Sequence, residues 1–263
     1  MKRIFPFLFA LLLLPSLLSA REIVRLTRYD GQPISGVSAS HMFRVELIKS
    51  SATKAVVEID SELERYLRFE RSSNGVVQVG LNIPRDEQRR LERNNDFWKN
   101  KTIKLTLYLP DFDYIHLEDM ARLSTSDKFN GTAIEIKAED MAKITGLDLD
   151  AETVNVKAEN MATVELVLWA GKTTLKATDM AKINASGECR EAYAESSDMA
   201  KVKADELRAE RATLKAADMA KTSMYVSHYL YARSSDMGSV DYQGNPSQID
   251  LKTPRRTIYN INQ

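Results

Sequence analysis

The sequence feature that most constrains the fold is a short motif that recurs about every 20 residues. Its clearest copy is Ala-Glu-Asp-Met-Ala-Lys-Ile at Ala138–Ile144. Seven copies follow one another, and their methionines are 21, 20, 19, 19, 20 and 18 positions apart. The central pairs are Asp119 and Met120, Asp140 and Met141, Asn160 and Met161, Asp179 and Met180, Asp198 and Met199, Asp218 and Met219, and Asp236 and Met237. A period this constant indicates a repeat architecture.

Apolar and polar residues alternate on both sides of each motif copy, which is typical of strands with one buried face. The segment from Thr153 to Leu168 illustrates this, because every second residue is apolar before the motif and again after it. A coil of about 20 residues cannot bury such a face alone, so we expect the coils to stack. The predicted fold is all-β: a single-stranded, right-handed β-helix (β-solenoid) of about seven coils of ~20 residues. A run of antiparallel hairpins is the alternative, and the near-constant spacing favours the solenoid.

The chain divides into three predicted regions. Residues 1–20 combine a basic start, an apolar run and a small-residue end, the pattern of a secretory signal peptide. Residues 21–110 are β-rich without the repeat, and we expect their charged insertion at residues 84–95 to be a solvated loop or a short surface helix. Residues 111–263 contain the β-solenoid repeats and a C-terminal cap.

Each position at the centre of the motif has an expected role. Asp and Asn tolerate a left-handed backbone better than other non-glycine residues, so we expect them at a corner. The small residue after each methionine lets the chain bend without a clash. We expect the methionines to stack in a buried column. The alternative is an outward methionine stripe that forms a sticky surface or binds a soft metal such as Cu(I).

Most of the corner acids are followed, three positions later, by a basic residue, which predicts a compensated charge column on the outer wall. These basic residues are Arg122, Lys143, Lys182, Lys201 and Lys221. A row of calcium sites is the disfavoured alternative, because calcium needs several oxygen ligands at each site.

Composition and motifs argue against several classes of function. Lys and Arg number 37, as do Asp and Glu, so nucleic acid is not an expected partner. The single cysteine, Cys189, cannot form an intrachain disulfide, and its inward phase predicts a buried, inert thiol. The three histidines are far apart, and the sequence has no zinc-protease, nucleophile-elbow or phosphate-loop motif. We therefore predict a protein that is not an enzyme, with no cofactor, no metal site and no transmembrane segment after signal cleavage.

Three stretches of the chain carry a family resemblance: Val37–Leu47, Lys104–Leu117 and Gly238–Pro246. They are similar to the opening strand, the entry into the repeats and the ending of the head GIN-domain family of putative bacterial auto-transporter adhesins. Repeats of that family usually carry Gly-Ser-Gly-Asp or Gly-Ala-Ser-Lys where this chain has Asp-Met-Ala-Lys. The family glycine falls on the Asp or Asn position, which agrees with a left-handed corner. The resemblance implies a secreted or surface β-helix with a role in adhesion.

The best candidate for a binding surface lies near the C-terminal end of the repeats. The alternation directs Tyr225, Tyr229, Tyr231 and His228 outward, and an exposed aromatic patch suits a glycan or a protein partner. Alternatively, these rings cover the open end of the stack. Phe112, Asp113 and His116 lie at the entry to the stack, and we interpret Glu188, Arg190 and Glu191 as a surface turn.

Together these features favour an exported, non-enzymatic β-helix protein that acts as an adhesin or as a structural or interaction protein of the cell envelope. The alternatives are an extracellular glycan-binding or glycan-cleaving protein and an envelope sensor or stress component that binds another protein. The expected partner is an unidentified protein or glycan at the cell surface. Periplasmic, cell-surface and secreted locations stay open, as does oligomerisation.

Overall fold

The structure, a computed structural model, describes residues 22–93, 97–252 and 257–262. The predicted signal peptide lies outside these residues. The strands are β1 (Ile23–Arg28), β2 (Gly36–Ala39), β3 (Arg44–Lys49), β4 (Lys54–Asp60), β5 (Leu67–Arg71), β6 (Val76–Leu81), β7 (Ile103–Leu109), β8 (Tyr114–Leu117), β9 (Arg122–Ser124), β10 (Lys128–Ala138), β11 (Lys143–Ala158), β12 (Thr163–Ala177), β13 (Lys182–Ser196), β14 (Lys201–Ala216), β15 (Lys221–Ser234), β16 (Ser239–Gln243), β17 (Gln248–Leu251) and β18 (Ile258–Asn260). Two helices, α1 (Ser61–Glu64) and α2 (Arg85–Arg93), complete the elements.

Strands β10 to β15 each pair in parallel with the strand one coil later. Equivalent residues lie in register from coil to coil, as in the column that joins Val156, Leu175 and Ala194. This arrangement confirms the predicted β-solenoid of about seven turns. The alternative of antiparallel hairpins is excluded for the repeat region.

The core is a narrow interior lined by the inward-pointing side chains of every coil. Val154, Val156 and Ala158 are buried, and the residues between them are wholly or partly exposed. Small and branched aliphatic side chains suit this interior because the two walls of a coil lie close together. Each long strand has two straight segments: a first wall after the corner and a second wall before the next corner. The inward alternation is interrupted between them, as at Trp169–Lys172.

The corners have the predicted left-handed backbone. All seven Asp and Asn residues at the repeat centres have φ between 55° and 62°. At one corner the Ala142 N–H donates to the Glu139 carbonyl (3.1 Å), which closes the turn. The Met141 N–H donates to the Asp119 carbonyl of the preceding coil (2.8 Å), so successive corners are linked directly. The residue after each methionine is buried, so only a small side chain fits the space inside the bend.

The prediction of a buried methionine column is wrong. The seven methionines of the repeat are 44–71% exposed. The left-handed residue breaks the strict alternation of inward and outward side chains, so Asp and Met both lie outside before the following alanine turns inward. The outward stripe, which was the alternative, is the arrangement observed.

The corner carboxylates and the basic residues three positions later lie in neighbouring exposed columns. Within residues 97–252, no ion pair joins a corner carboxylate to its basic residue. Instead, Asp140 Oδ1 accepts a hydrogen bond from Asn160 Nδ2 (3.0 Å). The opposite charges therefore lie in neighbouring columns, as predicted, but they form no direct ion pairs in this part of the chain.

An additional coil precedes the seven copies recognised in the sequence. Its corner is His41, with φ 62°, followed by Met42. The Met120 N–H donates to the His41 carbonyl (2.9 Å), which repeats the link seen at every later corner. Strands β2 and β3 of this coil pair in parallel with β8 and β9. The sequence signal was missed because His and Phe replace the Asp and Ala of the motif.

The N-terminal end of the stack is closed by antiparallel strands. Strands β6 and β7 pair in parallel with β2 and β3, and β5 and β4 then pair antiparallel to β6 and β7. Strand β1 pairs antiparallel to β4. The charged insertion contains helix α2, which agrees with the expected surface helix. At the other end, β16 and β17 pair with β15, and β18 begins a further coil on β16.

Candidate functional site

The first wall between β11 and β15 is the part of the surface where the coils differ in length. Met141 and Met161, like Met199 and Met219, are 20 positions apart, but the two intervening coils are 19 residues long. The extra residue of each longer coil shifts the strand register. In β11 the shift lies between Ile144 and Leu147, and in β14 it lies opposite Asn184–Ser186 of β13. Both shifts are β-bulges on the same wall. We call the outer surface of the first wall from β11 to β15 the bulged wall.

A shallow depression of about 400 Å³ lies between the two bulges. The bulged segments that contain Gly146 and Asp205 form its two sides, since a bulge bends its strand. The two shorter coils form the surface between them. Side chains of several kinds reach it: Glu165, Asn184, Ser186, Lys203 and Glu206. Carboxylate, amide, hydroxyl and ammonium groups thus line one concave surface.

Two carboxylate oxygens in this depression lack hydrogen-bond partners. Oδ1 of Asp148 and Oδ1 of Asp205 are buried, and neither has a partner among the residues that the structure describes. Leaving a buried acceptor unpaired costs about 1–3 kcal/mol. Both oxygens are closed off from the surface, so the groups that a ligand can reach in this depression are the partly exposed side chains of Glu165, Asn184 and Ser186.

A second depression of about 430 Å³ lies beside the first, at the end of the same wall. Trp169, Glu188, Arg208 and Tyr225 follow one another in register across four coils. Trp169 is 41% exposed, and Tyr225 is half-buried with the Arg208 guanidinium 5.0 Å from its ring centroid. Three coil spacings of about 4.8 Å separate the two rings by about 14 Å along the stack.

The structure does not bring the four predicted site residues together. Tyr225 lies on the first wall in register with Gln243, whereas Tyr229 and Tyr231 lie on the second wall, opposite β17. His228 is exposed between the walls, and its Nδ1 is 2.9 Å from Ser247 Oγ. All four residues belong to the last complete coil. Their role in ligand binding stays a prediction.

The smaller clusters separate in the same way. Glu188 and Arg190 line the second depression, but Glu191 lies on the second wall in register with Arg211. At the entry to the stack, Phe112 is buried against Phe129, with a centroid distance of 5.1 Å. His116 Nε2 lies 3.0 Å from Glu139 Oε1 and 3.3 Å from Glu118 Oε1.

Sequence reasoning missed Trp169 and the first depression. Trp169 follows the alternating run of β12 directly, at an outward position. An outward tryptophan is a recognisable sign of a binding surface. The unequal coil lengths were visible too, but the sequence does not indicate on which wall each extra residue lies.

Cys189 borders the second depression from the inside. The thiol is buried, as predicted, and burial raises its pKa to about 12. The nearby Glu210 carboxylate adds to this shift in pKa by disfavouring the thiolate. The inertness of the thiol is therefore still expected, because the thiolate is the reactive form.

Among the described residues, no group of three or more His, Cys, Asp or Glu side chains is arranged to hold a metal ion. No helix within the same residues is long and apolar enough to cross a membrane.

The molecule is therefore a parallel β-solenoid in which β-bulges shape one wall. Proteins of this class present an extended outer surface. The chain belongs to the family described as "Putative auto-transporter adhesin, head GIN domain", whose model matches residues 34–246. The match crosses the boundary predicted between residues 110 and 111. That division into domains remains a prediction.

Three solved structures of similar fold come from two Parabacteroides species. A putative adhesin from Parabacteroides merdae is 11% identical with a TM-score of 0.76, covering 92% of this chain and 97% of that chain. A putative adhesin from Parabacteroides distasonis is 13% identical with a TM-score of 0.76, covering 92% and 98%. A putative lipid binding protein from the same species is 14% identical with a TM-score of 0.76, covering 91% and 97%. At these identities the likeness concerns the fold alone. No curated protein matches the sequence.

Proposed function

We propose that this adhesin-like protein is exported, is not an enzyme, and binds a carbohydrate chain along the bulged wall. Export is supported by residues 1–20, whose pattern is that of a signal peptide. The single observation that carries the binding proposal is the outward column that begins with Trp169 and ends with Tyr225.

Aromatic rings at the two ends of that column suit sugar rings. An apolar sugar face stacks on an indole or phenol, and the polar edge of the ring stays in water. Glu188 and Arg208 lie between the two rings, where they can bond to hydroxyl groups. A ligand that contacts both rings must extend across the coils, which favours a chain over a single sugar.

The first depression supplies polar contacts beside the rings. Its partly exposed Glu165, Asn184 and Ser186 side chains can exchange hydrogen bonds with sugar hydroxyls. A charged partner is less suitable, because Lys203 and Glu206 bring opposite charges to the same surface.

The spacing of the two aspartates on the sides of the first depression argues against hydrolysis by that pair. Asp148 and Asp205 belong to β11 and β14, which are three coils and therefore about 14 Å apart along the stack. The carboxyl pairs of glycoside hydrolases are usually separated by about 5–9.5 Å. This separation argues against Asp148 and Asp205 as a hydrolytic pair, and the assay for shortened saccharides below tests the other carboxylates of the depression.

A glycan array tests the proposal with the exported chain, residues 21–263. We expect binding to a polysaccharide, and we expect the double substitution Trp169→Ala and Tyr225→Ala to weaken it roughly tenfold or more. Tyr193→Ala is the matched control: Tyr193 is also half-buried beside a cation, but it lies on the second wall. The control should bind like the unmodified chain.

Three results would contradict the proposal. One is unchanged affinity in the double variant. Another is an equal loss in the Tyr193→Ala control, which would indicate a general structural effect. The third is release of shortened saccharides, which would favour the glycan-cleaving alternative.

A further inference from the structure

Nearly all methionines of the chain lie in one column on its surface. Met1 aside, there are nine methionines, and eight occupy the same corner position in successive coils. The ninth, Met224, is fully buried on the first wall. We call the eight the methionine column: Met42, Met120, Met141, Met161, Met180, Met199, Met219 and Met237.

Neither burial nor backbone geometry explains why this position is always methionine. The Asp or Asn before it is explained by its left-handed φ, and the residue after it by its burial. The methionine itself points outward and is about half exposed. Another outward column of the same coils varies in residue type: Glu165, Asn184 and Lys203 succeed one another in register. A residue type retained at an exposed position is retained for the chemistry of its side chain.

The spacing of the column places thioethers within reach of a shared ion. Corner hydrogen bonds of 2.7–2.9 Å link each methionine N–H to the preceding coil from Met120 to Met219, so the coils are directly superposed. Coils are about 4.8 Å apart. Metal–sulfur bonds of about 2.3 Å, as in zinc thiolates, allow two sulfurs on one ion to be up to about 4.6 Å apart. Because a methionine side chain is flexible, adjacent residues can close the small difference.

The charges beside the column favour a soft cation over a hard one. Exposed carboxylates lie on one side of the column and exposed basic residues on the other, as with Asp198 and Lys201 around Met199. Their opposite charges give a hard cation such as Ca²⁺ little net attraction. Thioether sulfur binds soft monovalent ions regardless of these charges.

We propose that the methionine column binds soft monovalent cations, Cu(I) or Ag(I), each ion held by the sulfurs of two adjacent coils. The binding step is simple coordination: a sulfur lone pair replaces a water or other weak ligand of the ion, and no electron is transferred. A thioether has no proton to lose. Binding is therefore expected to be independent of pH between about 5 and 8, unlike binding by histidine or cysteine.

Titration of the exported chain with Ag(I), which is stable in air, tests the proposal. Two adjacent sulfurs act together, so we expect Ag(I) to bind at least about 100-fold more tightly than it binds N-acetylmethionine methyl ester. The triple substitution Met141→Leu, Met161→Leu and Met180→Leu should reduce the number of bound ions by about half. It splits the column into two shorter runs. Leucine has a similar volume and remains apolar, so the fold should be retained.

Two further variants complete the experiment. The matched control, Met224→Leu, removes a sulfur from outside the column and should leave Ag(I) binding unchanged. The single substitution Met161→Leu also breaks the column and should lower the number of bound ions even if the triple variant is unstable. Binding no tighter than that of the free ester would overturn the proposal. So would an unchanged number of ions in the Met161→Leu variant, or displacement of Ag(I) by equimolar Ca²⁺.

Discussion

At the scale of the residue, the corner of each coil depends on one backbone conformation. Every corner residue has a positive φ, and the repeat uses Asp or Asn there instead of glycine. A left-handed backbone costs roughly 1–2 kcal/mol for an ordinary L-residue, and Asp and Asn reduce this cost through local hydrogen bonds. The side-chain contacts vary from corner to corner, but the φ value does not.

Substitutions at Asp218 should separate the backbone effect from the loss of charge. The φ at this corner is 58°. We expect Asp218→Ala to lower the free energy of unfolding by about 1 kcal/mol, and Asp218→Gly to change it by less than half as much. Chemical denaturation of both variants gives the comparison. Lys201→Ala, at an exposed strand position, serves as the control and should have little effect. Equal losses in the two Asp218 variants would argue against the backbone explanation.

The left-handed corner was predictable from residue type, but the direction of the methionine was not. Asp and Asn recur at one position, and their tolerance of positive φ is a property of the residues themselves. The outward direction of Met141 depends on where the alternation resumes after the corner. That depends on the turn closed by Glu139 and Ala142, which residue types alone do not specify.

At the scale of the element, two bulges shape the wall on which the proposed ligand lies. Gly146 is in the bulge of β11 and has a φ of 76°. A Cβ atom at this position would lie 2.1 Å from the Thr125 carbonyl oxygen of the neighbouring coil. Glycine is therefore required here for two reasons: the positive φ and the close approach of the preceding coil.

Alanine substitutions can separate these two requirements. Gly31 also has a positive φ, 68°, but a Cβ there would meet nothing within 4 Å. We expect Gly31→Ala to cost about 1 kcal/mol for the backbone alone. Gly146→Ala should cost roughly 2–4 kcal/mol, because the clash adds to the backbone penalty. Thermal and chemical denaturation measure both. If the two variants lost the same stability, the close contact at the bulge would be unimportant.

The strands were predictable, but the positions of the bulges on the wall were not. Alternation in residues 153–168 correctly assigned the buried and exposed faces on both sides of the corner. The lengths of 20 and 19 residues were equally visible. Where an extra residue emerges depends on the coils above and below it, and these contacts are made only in the assembled stack. The position of Trp169 beside Glu188 and Arg208 follows from the same registers.

At the scale of the whole molecule, the chain is a stack in which each coil contacts mainly the coils before and after it. The N-terminal end is covered by antiparallel strands, whereas within the described residues the last coil is represented by β18 alone. The stacking was predictable from the repeat, but the coil at His41 and Met42 was not. More than 70 residues separate that coil from its neighbour in the stack, so no period revealed it.

Hydrogen exchange should report this one-dimensional organisation. Amides of β12 and β13 have a complete coil on each side, so we expect them to exchange at least about 100-fold more slowly than those of β17 and β18. Mass spectrometry of peptides from residues 21–263 measures the difference. Uniform protection from the centre to the C-terminal end would mean that the stack opens only as a single unit.

The bulges have a consequence for how such a surface can diversify. An added residue that emerges on the outside, as at Gly146, leaves the inward column from Val156 to Leu175 in place. If the bulged wall binds the proposed ligand, its outward residues set ligand preference, whereas the inward columns set most of the stability. Single-codon insertions that fit an external bulge, as glycine does at position 146, would then reshape the recognised surface without displacing the core.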